Sequence, residues 1–233
     1  VNLPVRFVQS TAAFKDSKGQ LLENYKSIHH RNEVLVGLGD PTLRLGVQPI
    51  PLKASTSWFL ELGVGASFPL GRTEADPYQA GREGREHQHI MFGTGTFDPL
   101  GYLMLGYLLS KVQVYVQGNV KGSLYPNSFN FQEGVQLQTS FTAESSFGLK
   151  TWSFMAQFSF QHQTPGLWSG QVSDPDGLGG RTDLLLSTGV FWRPNPQWQL
   201  SARFSFPINL NHTGGELSQP VVLGVGLNYQ FQL

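Results

Sequence analysis

Apolar residues fill every second position near the end of the chain. Between positions 221 and 233 the odd-numbered residues are Val, Leu, Tyr or Phe, and the even-numbered residues from 224 onward are Gly, Asn or Gln. Successive side chains of a β-strand point to opposite faces, so this segment predicts a strand with one apolar and one polar face. A strand of this kind suits a position between lipid and water.

The same alternation recurs along the whole chain. It is least clear in two segments, 97–109 and 183–192, where both faces are largely apolar. Because each alternating segment has the length of a strand, the pattern predicts ten strands. They lie at residues 1–9, 42–48, 58–68, 97–109, 112–121, 135–144, 152–161, 183–192, 198–208 and 221–233.

The predicted connections alternate in length. Short connections fall at 49–56, 110–111, 145–151 and 193–197, and long ones at 10–40, 71–96, 124–133, 162–182 and 209–219. An up-and-down transmembrane barrel has tight turns at one end and long loops at the other. We therefore predict an all-β fold, an up-and-down antiparallel transmembrane β-barrel of ten strands that forms one domain over residues 1–233.

Composition excludes several other classes of protein. Charged residues make up 14% of the chain, against roughly 25% in soluble domains. The formal net charge is zero, which gives no electrostatic basis for binding nucleic acid. No apolar run reaches the length of a transmembrane helix, and alternating strands account for a mean hydropathy of only -0.19. The absence of cysteine agrees with passage through an oxidising periplasm.

Tryptophan is concentrated at one end of the predicted barrel. Four of the five tryptophans lie beside predicted short turns: Trp58, Trp152, Trp192 and Trp198. Trp favours the membrane–water interface because it has an apolar body and a polar N–H group. The alternative is that these side chains anchor the core of a soluble β-sandwich.

Three segments carry Gly, Asp and Pro in distinctive arrangements. They are GLGDPTLRLG at 37–46, the strand 62–68 followed by PLGR, and FGTGTFDP at 92–99. Together these segments resemble a family of Gram-negative outer-membrane barrels, the phenol meta-cleavage-pathway transporters, over residues 1–110. The resemblance implies an outer-membrane location and passive passage of small hydrophobic or aromatic compounds, with no cofactor. Members of that family carry a further N-terminal hairpin, which would bring the number of strands to twelve.

The end of the chain also resembles the signal that the barrel-assembly machinery recognises in outer-membrane proteins. The matching residues are Gly226, Tyr229 and Phe231. The match departs from the usual pattern because Gln232 and Leu233 follow the last aromatic residue. The implied partners are outer-membrane lipid, the assembly machinery and a small hydrophobic solute.

The polar faces of the predicted strands supply the residues expected to line the barrel interior. The lumen-lining set is Arg44, Glu61, Tyr115, Gln117, Gln138, Gln157 and Arg203. Arg44 and Glu61 lie on neighbouring predicted strands and are expected to form a pair that narrows the lumen. Barrels of eight strands are filled by side chains and those of sixteen are open, so these residues could equally fill a narrow barrel.

All six histidines lie in or beside predicted long loops. The candidate metal ligands are His29, His30, His87 and His89, since neutral imidazole binds Zn, Cu and Ni. Solvated loop histidines are the alternative, and we predict no metal.

A barrel hydrolase would need a His–Asp pair at the rim, made from His87 or His162 with Asp76, Asp98 or Asp183. No nucleophile motif accompanies such a pair, so we predict no enzyme and no catalytic residues. The second candidate function is a non-conducting structural or docking barrel, with an envelope protein as its partner.

Overall fold

In the computed structural model the chain is described over residues 3–10, 18, 20–21, 32–50, 57–87, 90–171, 180–212 and 221–229. Most of these residues lie in antiparallel β-strands. The strands are β1 (Val5–Ser10), β2 (Glu33–Leu38), β3 (Thr42–Ile50), β4 (Trp58–Ser67), β5 (Asp98–Leu109), β6 (Val112–Lys121), β7 (Phe131–Gln132), β8 (Gln136–Ser145), β9 (Trp152–Gln163), β10 (Leu167–Trp168), β11 (Arg181–Trp192), β12 (Trp198–His212) and β13 (Val222–Tyr229).

Nine of these strands form one antiparallel sheet in the order β13-β12-β11-β9-β8-β6-β5-β4-β3. Neighbours in the sheet follow one another in the chain, apart from the two-residue strands β7 and β10, which pair with each other. β1 and β2 form a separate hairpin. This order is that of a meander, which confirms the predicted all-β antiparallel class.

The number of strands differs from the prediction. Each of the ten predicted strands is present, and the described part of the chain contains three more, which gives thirteen. β2 lies in the predicted loop 10–40, where the Gly-rich run at 37–39 obscures the alternation of Val34, Val36 and Leu38. β7 and β10 are too short to give a periodic pattern, because each pairs through only two residues.

Within the described residues the sheet is open. No described strand pairs with the outer edge of β13, and β1 pairs only with β2. Both pairings continue into the connection between β2 and β3: Gly39 N donates to Pro4 O of the hairpin at 2.8 Å, and Phe68 N of the large sheet donates to Pro41 O at 2.8 Å. Only three residues connect the end of β2, in the hairpin, to the start of β3, in the large sheet.

A short helix, α1 (Pro77–Arg82), lies within the predicted loop 71–96. Proline at the first helical position has the required φ and lacks only an N–H that the helix would leave unbonded. Asp76 caps this turn by accepting from Gln79 N at 3.2 Å. No helix in the described ranges is long and apolar enough to cross a membrane.

Candidate functional site

The nine-stranded sheet has its polarity reversed relative to a soluble protein. On β9, Ser153, Met155 and Ser159 are buried, whereas Phe154 and Phe158 on the opposite face are 43% and 46% exposed. Soluble proteins bury such aromatic side chains and expose serine. We call the face with the exposed aromatic and aliphatic side chains the apolar face, and the opposite one the polar face.

The tryptophans lie on the apolar face at the short-turn end. Trp58, Trp152, Trp192 and Trp198 are all exposed, and Trp152 stacks on Trp192 with ring centroids 5.9 Å apart. The fifth, Trp168, is buried at the opposite end against Phe131. The four exposed rings therefore form the row that the sequence predicts beside the short turns.

One cluster of polar side chains lies on the polar face at the short-turn end, and we call it the turn-end network. Arg193 Nη1 donates to Glu144 Oε1 at 3.0 Å and to the Ser153 hydroxyl at 2.7 Å, and Arg193 Nε donates to Gln199 Oε1 at 2.8 Å. Ser153 Oγ also donates to Glu144 at 2.6 Å. The Arg193 guanidinium lies 5.2 Å from the ring centroid of Phe191. Glu144 is thus neutralised by a nearby cation.

A second cluster joins β3, β4 and β5. Tyr102 Oη donates to Glu61 Oε1 at 2.8 Å, and Gln48 Nε2 donates to Glu61 Oε2 at 3.0 Å. Arg44 lies over the Tyr102 ring at 5.7 Å from its centroid. The predicted direct pair between Arg44 and Glu61 is wrong for the described residues. Each of the two side chains contacts Tyr102 instead, Glu61 at its hydroxyl and Arg44 at its ring.

Tyr102 lies flat on the sheet because two glycines leave room for it. A Cβ at Gly63 would overlap the Tyr102 ring, and one at Gly46 would overlap its hydroxyl. Phe59, 4% exposed, covers Gly106 in the same way. These glycines keep two aromatic rings against the wall and out of the space in front of the polar face.

The middle of the polar face carries neutral side chains. Gln157 Nε2 donates to Thr142 Oγ1 at 2.9 Å, and Gln117 Nε2 donates to Asn119 Oδ1 at 3.1 Å. Arg203 Nη1 approaches Gln157 Oε1 at 3.5 Å, which is the limit of a hydrogen bond.

The predicted lumen-lining residues share the polar face, as their positions in the strand registers require. Arg44 and Glu61 gather around Tyr102, and Gln157 reaches toward Arg203. Gln138 lies opposite both Asn119 and Gln161 on the neighbouring strands. The remaining members are Tyr115 on β6, half-buried, and Gln117 beside Asn119.

At the long-loop end, Asp40 holds the segment 71–96 against the sheet. Its Oδ1 accepts from Gly71 N at 2.8 Å, and its Oδ2 accepts from Thr94 N at 2.7 Å. Phe92, 3% exposed, packs on Gly37 of β2, where any Cβ would meet its ring. The segment therefore folds over the face of β2 that is opposite to the exposed Val34, Val36 and Leu38.

Asp98 is the centre of the same cluster, which we call the loop-end network. Asp98 is fully buried and accepts from Thr96 Oγ1 at 2.5 Å and from Ser67 Oγ at 3.3 Å. The Thr94 hydroxyl lies 3.0 Å from Asp40 Oδ2 and 2.9 Å from Asp98 Oδ2, so its single O–H can donate to either carboxylate. Lys121 Nζ lies 3.6 Å from Asp98, which compensates part of the buried negative charge.

Glu133 completes the loop-end network. Its Oε2 lies 3.1 Å from Lys121 Nζ, and its Oε1 accepts from Gln136 Nε2 at 2.9 Å. Burial raises the pKa of Glu133 above its ordinary value of 4.5, and the positive charge of Lys121 opposes this rise without cancelling it. The loop-end network therefore contains a carboxyl group whose pKa lies above its ordinary value.

Sequence reasoning did not identify this network as a site. The residues 37–40 and 92–99 served only as the carriers of a family resemblance, although their Asp and Thr side chains make its central contacts. A signal was present in the alternation Thr94, Thr96, Asp98, which places three polar side chains on one face of an extended segment.

Two cavities lie along the sheet. One of about 270 Å³ is lined by Met155, Phe191, Arg203, Ser201, Gly224 and Gly226, together with the backbone of their neighbours. The other, of about 120 Å³, is lined by side chains that include Arg44, Asn119, Lys121, Gln136, Gln138 and Gln161.

Of the four histidines considered as metal ligands, only His87 lies in the described part of the chain. His29, His30 and His89 lie outside the described residues. His87 Nδ1 is 2.9 Å from Arg85 O, and His162 Nδ1 is 2.9 Å from Thr182 Oγ1. Among the described residues, no group of three His, Asp or Glu side chains could hold a metal ion.

The carboxylates suggested for a hydrolase have other partners. Asp183 accepts from Arg181 Nε at 2.6 Å, and Asp98 belongs to the loop-end network. Of the predicted assembly signal, Gly226 and Tyr229 lie on β13, and Phe231 falls outside the described part of the chain.

The sequence matches no protein-family model and no curated protein sequence. Among solved structures, the chain is similar to the crystal structure of an outer membrane channel from Pseudomonas putida F1. The TM-score is 0.60 at 13% sequence identity, and the match covers 84% of this chain and 67% of that chain. At this identity the likeness is one of fold alone.

Proposed function

We propose that this chain is an outer-membrane β-barrel through which small hydrophobic or aromatic compounds pass passively. The observation that carries the proposal is the reversed polarity of the sheet, in which large apolar side chains are exposed on one face and serine and threonine are buried on the other. An apolar outer band with a polar interior is the arrangement that a barrel needs in a bilayer. The fold likeness to an outer membrane channel supports the same conclusion.

Closure of the sheet belongs to this proposal. In a bilayer every backbone N–H and C=O must be satisfied internally, so an open sheet edge cannot face lipid. Residues 39–41 connect the β1–β2 hairpin directly to β3, the strand at one edge of the large sheet. We propose that the hairpin continues the sheet there and that the outer edge of β13 is paired in the complete barrel.

The proposed route runs along the polar face. Solutes would enter at the long-loop end, beside the segment 71–96, and pass the two cavities in front of the lumen-lining residues. Glycines at 46, 63 and 106 hold Tyr102 and Phe59 against the wall, which leaves this route wider than the side-chain sizes would suggest. No cofactor or energy source takes part in this mechanism, and we propose no catalytic role for any residue.

A non-conducting barrel is the second candidate, and the bonds of Arg193 favour it. The turn-end network joins β8, β9 and the turn after β11 through charged and hydroxyl groups. Such a network fills space at one end of the polar face. In this case the long loops would dock an envelope protein, and the lumen would have only a structural role.

Conductance in a planar lipid bilayer separates the two candidates. The channel proposal predicts discrete conductance steps that a small aromatic solute reduces while it occupies the lumen. Liposomes containing the protein should also swell in isosmotic solutions of small aromatic amides. Folded protein that gives neither conductance nor swelling would exclude passage and favour the docking barrel.

A further inference from the structure

The larger cavity lies where β13 presents only glycine to the polar face. β13 places Gly224 and Gly226 there, and β12 adds the small side chain of Ser201 beside them. Met155 of β9 and Phe191 of β11 add apolar side chains to the lining on the same face. Its volume of about 270 Å³ exceeds the roughly 150 Å³ of an engineered cavity that binds benzene.

Arg203 reaches into this cavity with most of its donors unused. Among the described residues, its one hydrogen bond is the 3.5 Å contact of Nη1 with Gln157 Oε1, and no carboxylate oxygen there lies within 4.0 Å of it. A guanidinium group has five N–H donors in a planar fork that matches a carboxylate. Arg203 is therefore positioned to bind an anion more strongly than a neutral molecule.

The carboxylates of the polar face do not compete for Arg203, because each already has other partners. Glu144 is bound by Arg193 and Ser153, Asp183 by Arg181, and Glu61 by Tyr102 and Gln48. The sequence alone shows nearly balanced charge on this face. In the structure the carboxylates are occupied by these other partners, so the positive charge of Arg203 at the cavity is not compensated by a neighbouring carboxylate.

We propose that this cavity is a binding site for small aromatic carboxylates. The ring would pack on Phe191 and Met155, with sulfur–aromatic and ring–ring contacts, while the carboxylate accepts two hydrogen bonds from Arg203. The glycines of β13 allow the ring to approach the backbone wall. This inference rests on the proposed function, because it names the chemical class that the same lumen would take.

Calorimetric titration of the detergent-folded protein with benzoate and with benzyl alcohol tests the site. Benzoate should bind more tightly than its neutral analogue. Arg203→Gln should weaken benzoate binding about tenfold, the effect of losing a charge-assisted pair, and leave benzyl alcohol unaffected. The benzoate affinity of Arg203→Lys should lie between those of the unchanged protein and of Arg203→Gln, because an ammonium group retains the charge without the bidentate fork.

Arg44→Gln is the matched contrast, because Arg44 lines the smaller cavity and also lacks a carboxylate within 4.0 Å among the described residues. It should change benzoate affinity less than twofold. Equal binding of the two ligands, no binding of benzoate, or equal effects of the two arginine variants would overturn the site. Bilayer conductance is scored separately: binding without conductance contradicts the channel alone, and conductance without benzoate binding contradicts the site alone.

Discussion

Val225 on β13 shows most simply how single residues define the two faces. Its side chain is 78% exposed, whereas its neighbours Gly224 and Gly226 line the larger cavity. An aliphatic side chain exposed to water contributes no hydrophobic free energy, whereas the same side chain in contact with hydrocarbon does. This orientation of Val225 is the one that the proposed lipid-facing side of β13 requires.

Val225→Arg should prevent insertion, and Leu223→Arg should act in the same way. A cation on the lipid face near the middle of the bilayer costs about 2–4 kcal/mol. The measurement is the fraction folded in lipid vesicles, read from the altered gel mobility of unheated protein. Gln138→Arg on the polar face is the control and should fold normally. If Gln138→Arg were the more damaging change, the assignment of the faces would be inverted.

Gly106→Ala should destabilise the protein through overpacking. The added methyl group would overlap the ring of Phe59, which is buried and has little room to move. The expected loss is about 1–3 kcal/mol of unfolding free energy, measured by urea titration. Gly106→Ala combined with Phe59→Leu should recover much of this loss. An unchanged single variant would show that the ring does not lie on the glycine.

At the scale of elements, ten of the thirteen strands in the described residues could be predicted from the sequence, and the loop contacts could not. Each predicted strand has a period of two, which is a local property of the sequence. Asp40, Thr94 and Asp98 meet through contacts between residues up to 54 positions apart, and no periodicity reports such contacts. The Arg44–Glu61 prediction failed for the same reason, because Tyr102 comes from a third strand.

Asp40→Ala should release the segment 71–96 from the sheet. The change removes hydrogen bonds to Gly71 N, Thr94 N and the Thr94 hydroxyl, and bonds to a charged group contribute about 1.5–3 kcal/mol each. Amide hydrogen exchange at Thr94 should accelerate by about tenfold or more. Asp40→Asn should have a smaller effect, since one amide oxygen still accepts. Exchange at Thr94 as slow as in the unchanged protein would contradict this role of Asp40.

The loop-end network should lose stability as the pH rises above the ordinary Glu pKa of 4.5. Burial raises the pKa of Glu133 in the folded state, so the folded protein holds a proton that the unfolded chain releases. The stabilising contribution is complete below 4.5 and is lost as the pH passes through the raised value. Lys121, Asp98 and Asp40 are the charges that act on this group.

Glu133→Gln should remove this part of the pH dependence. The urea midpoint of the variant should change less than that of the unchanged protein between about pH 4 and pH 7. Equal pH dependence in both proteins would show that the pKa of Glu133 is the same in the folded and unfolded states, which contradicts the raised pKa. Glu86→Gln, in the exposed stretch after α1, is a matched control for the loss of one loop carboxylate.

At the scale of the whole molecule, the central claim is that the apolar face meets lipid and the polar face meets water. The low charge content, the period-two pattern and the alternation of short and long connections lead to this claim from the sequence alone. Cavities and charge pairing do not follow from it, because they depend on which side chains neighbouring strands bring together. The sequence places glycines 224 and 226 on the polar face. That they line a cavity becomes visible only when the structure brings Phe191 and Arg203 beside them.

Site-directed labelling tests the central claim most directly, because the chain has no cysteine of its own. Single variants Leu137→Cys, Gln138→Cys, Gln157→Cys and Phe158→Cys would be folded into vesicles and labelled with a fluorophore. Brominated lipid should quench the labels at 137 and 158, and a water-soluble quencher should reach those at 138 and 157. Quenching that does not alternate between neighbouring residues, or that alternates with the opposite phase, would contradict the account.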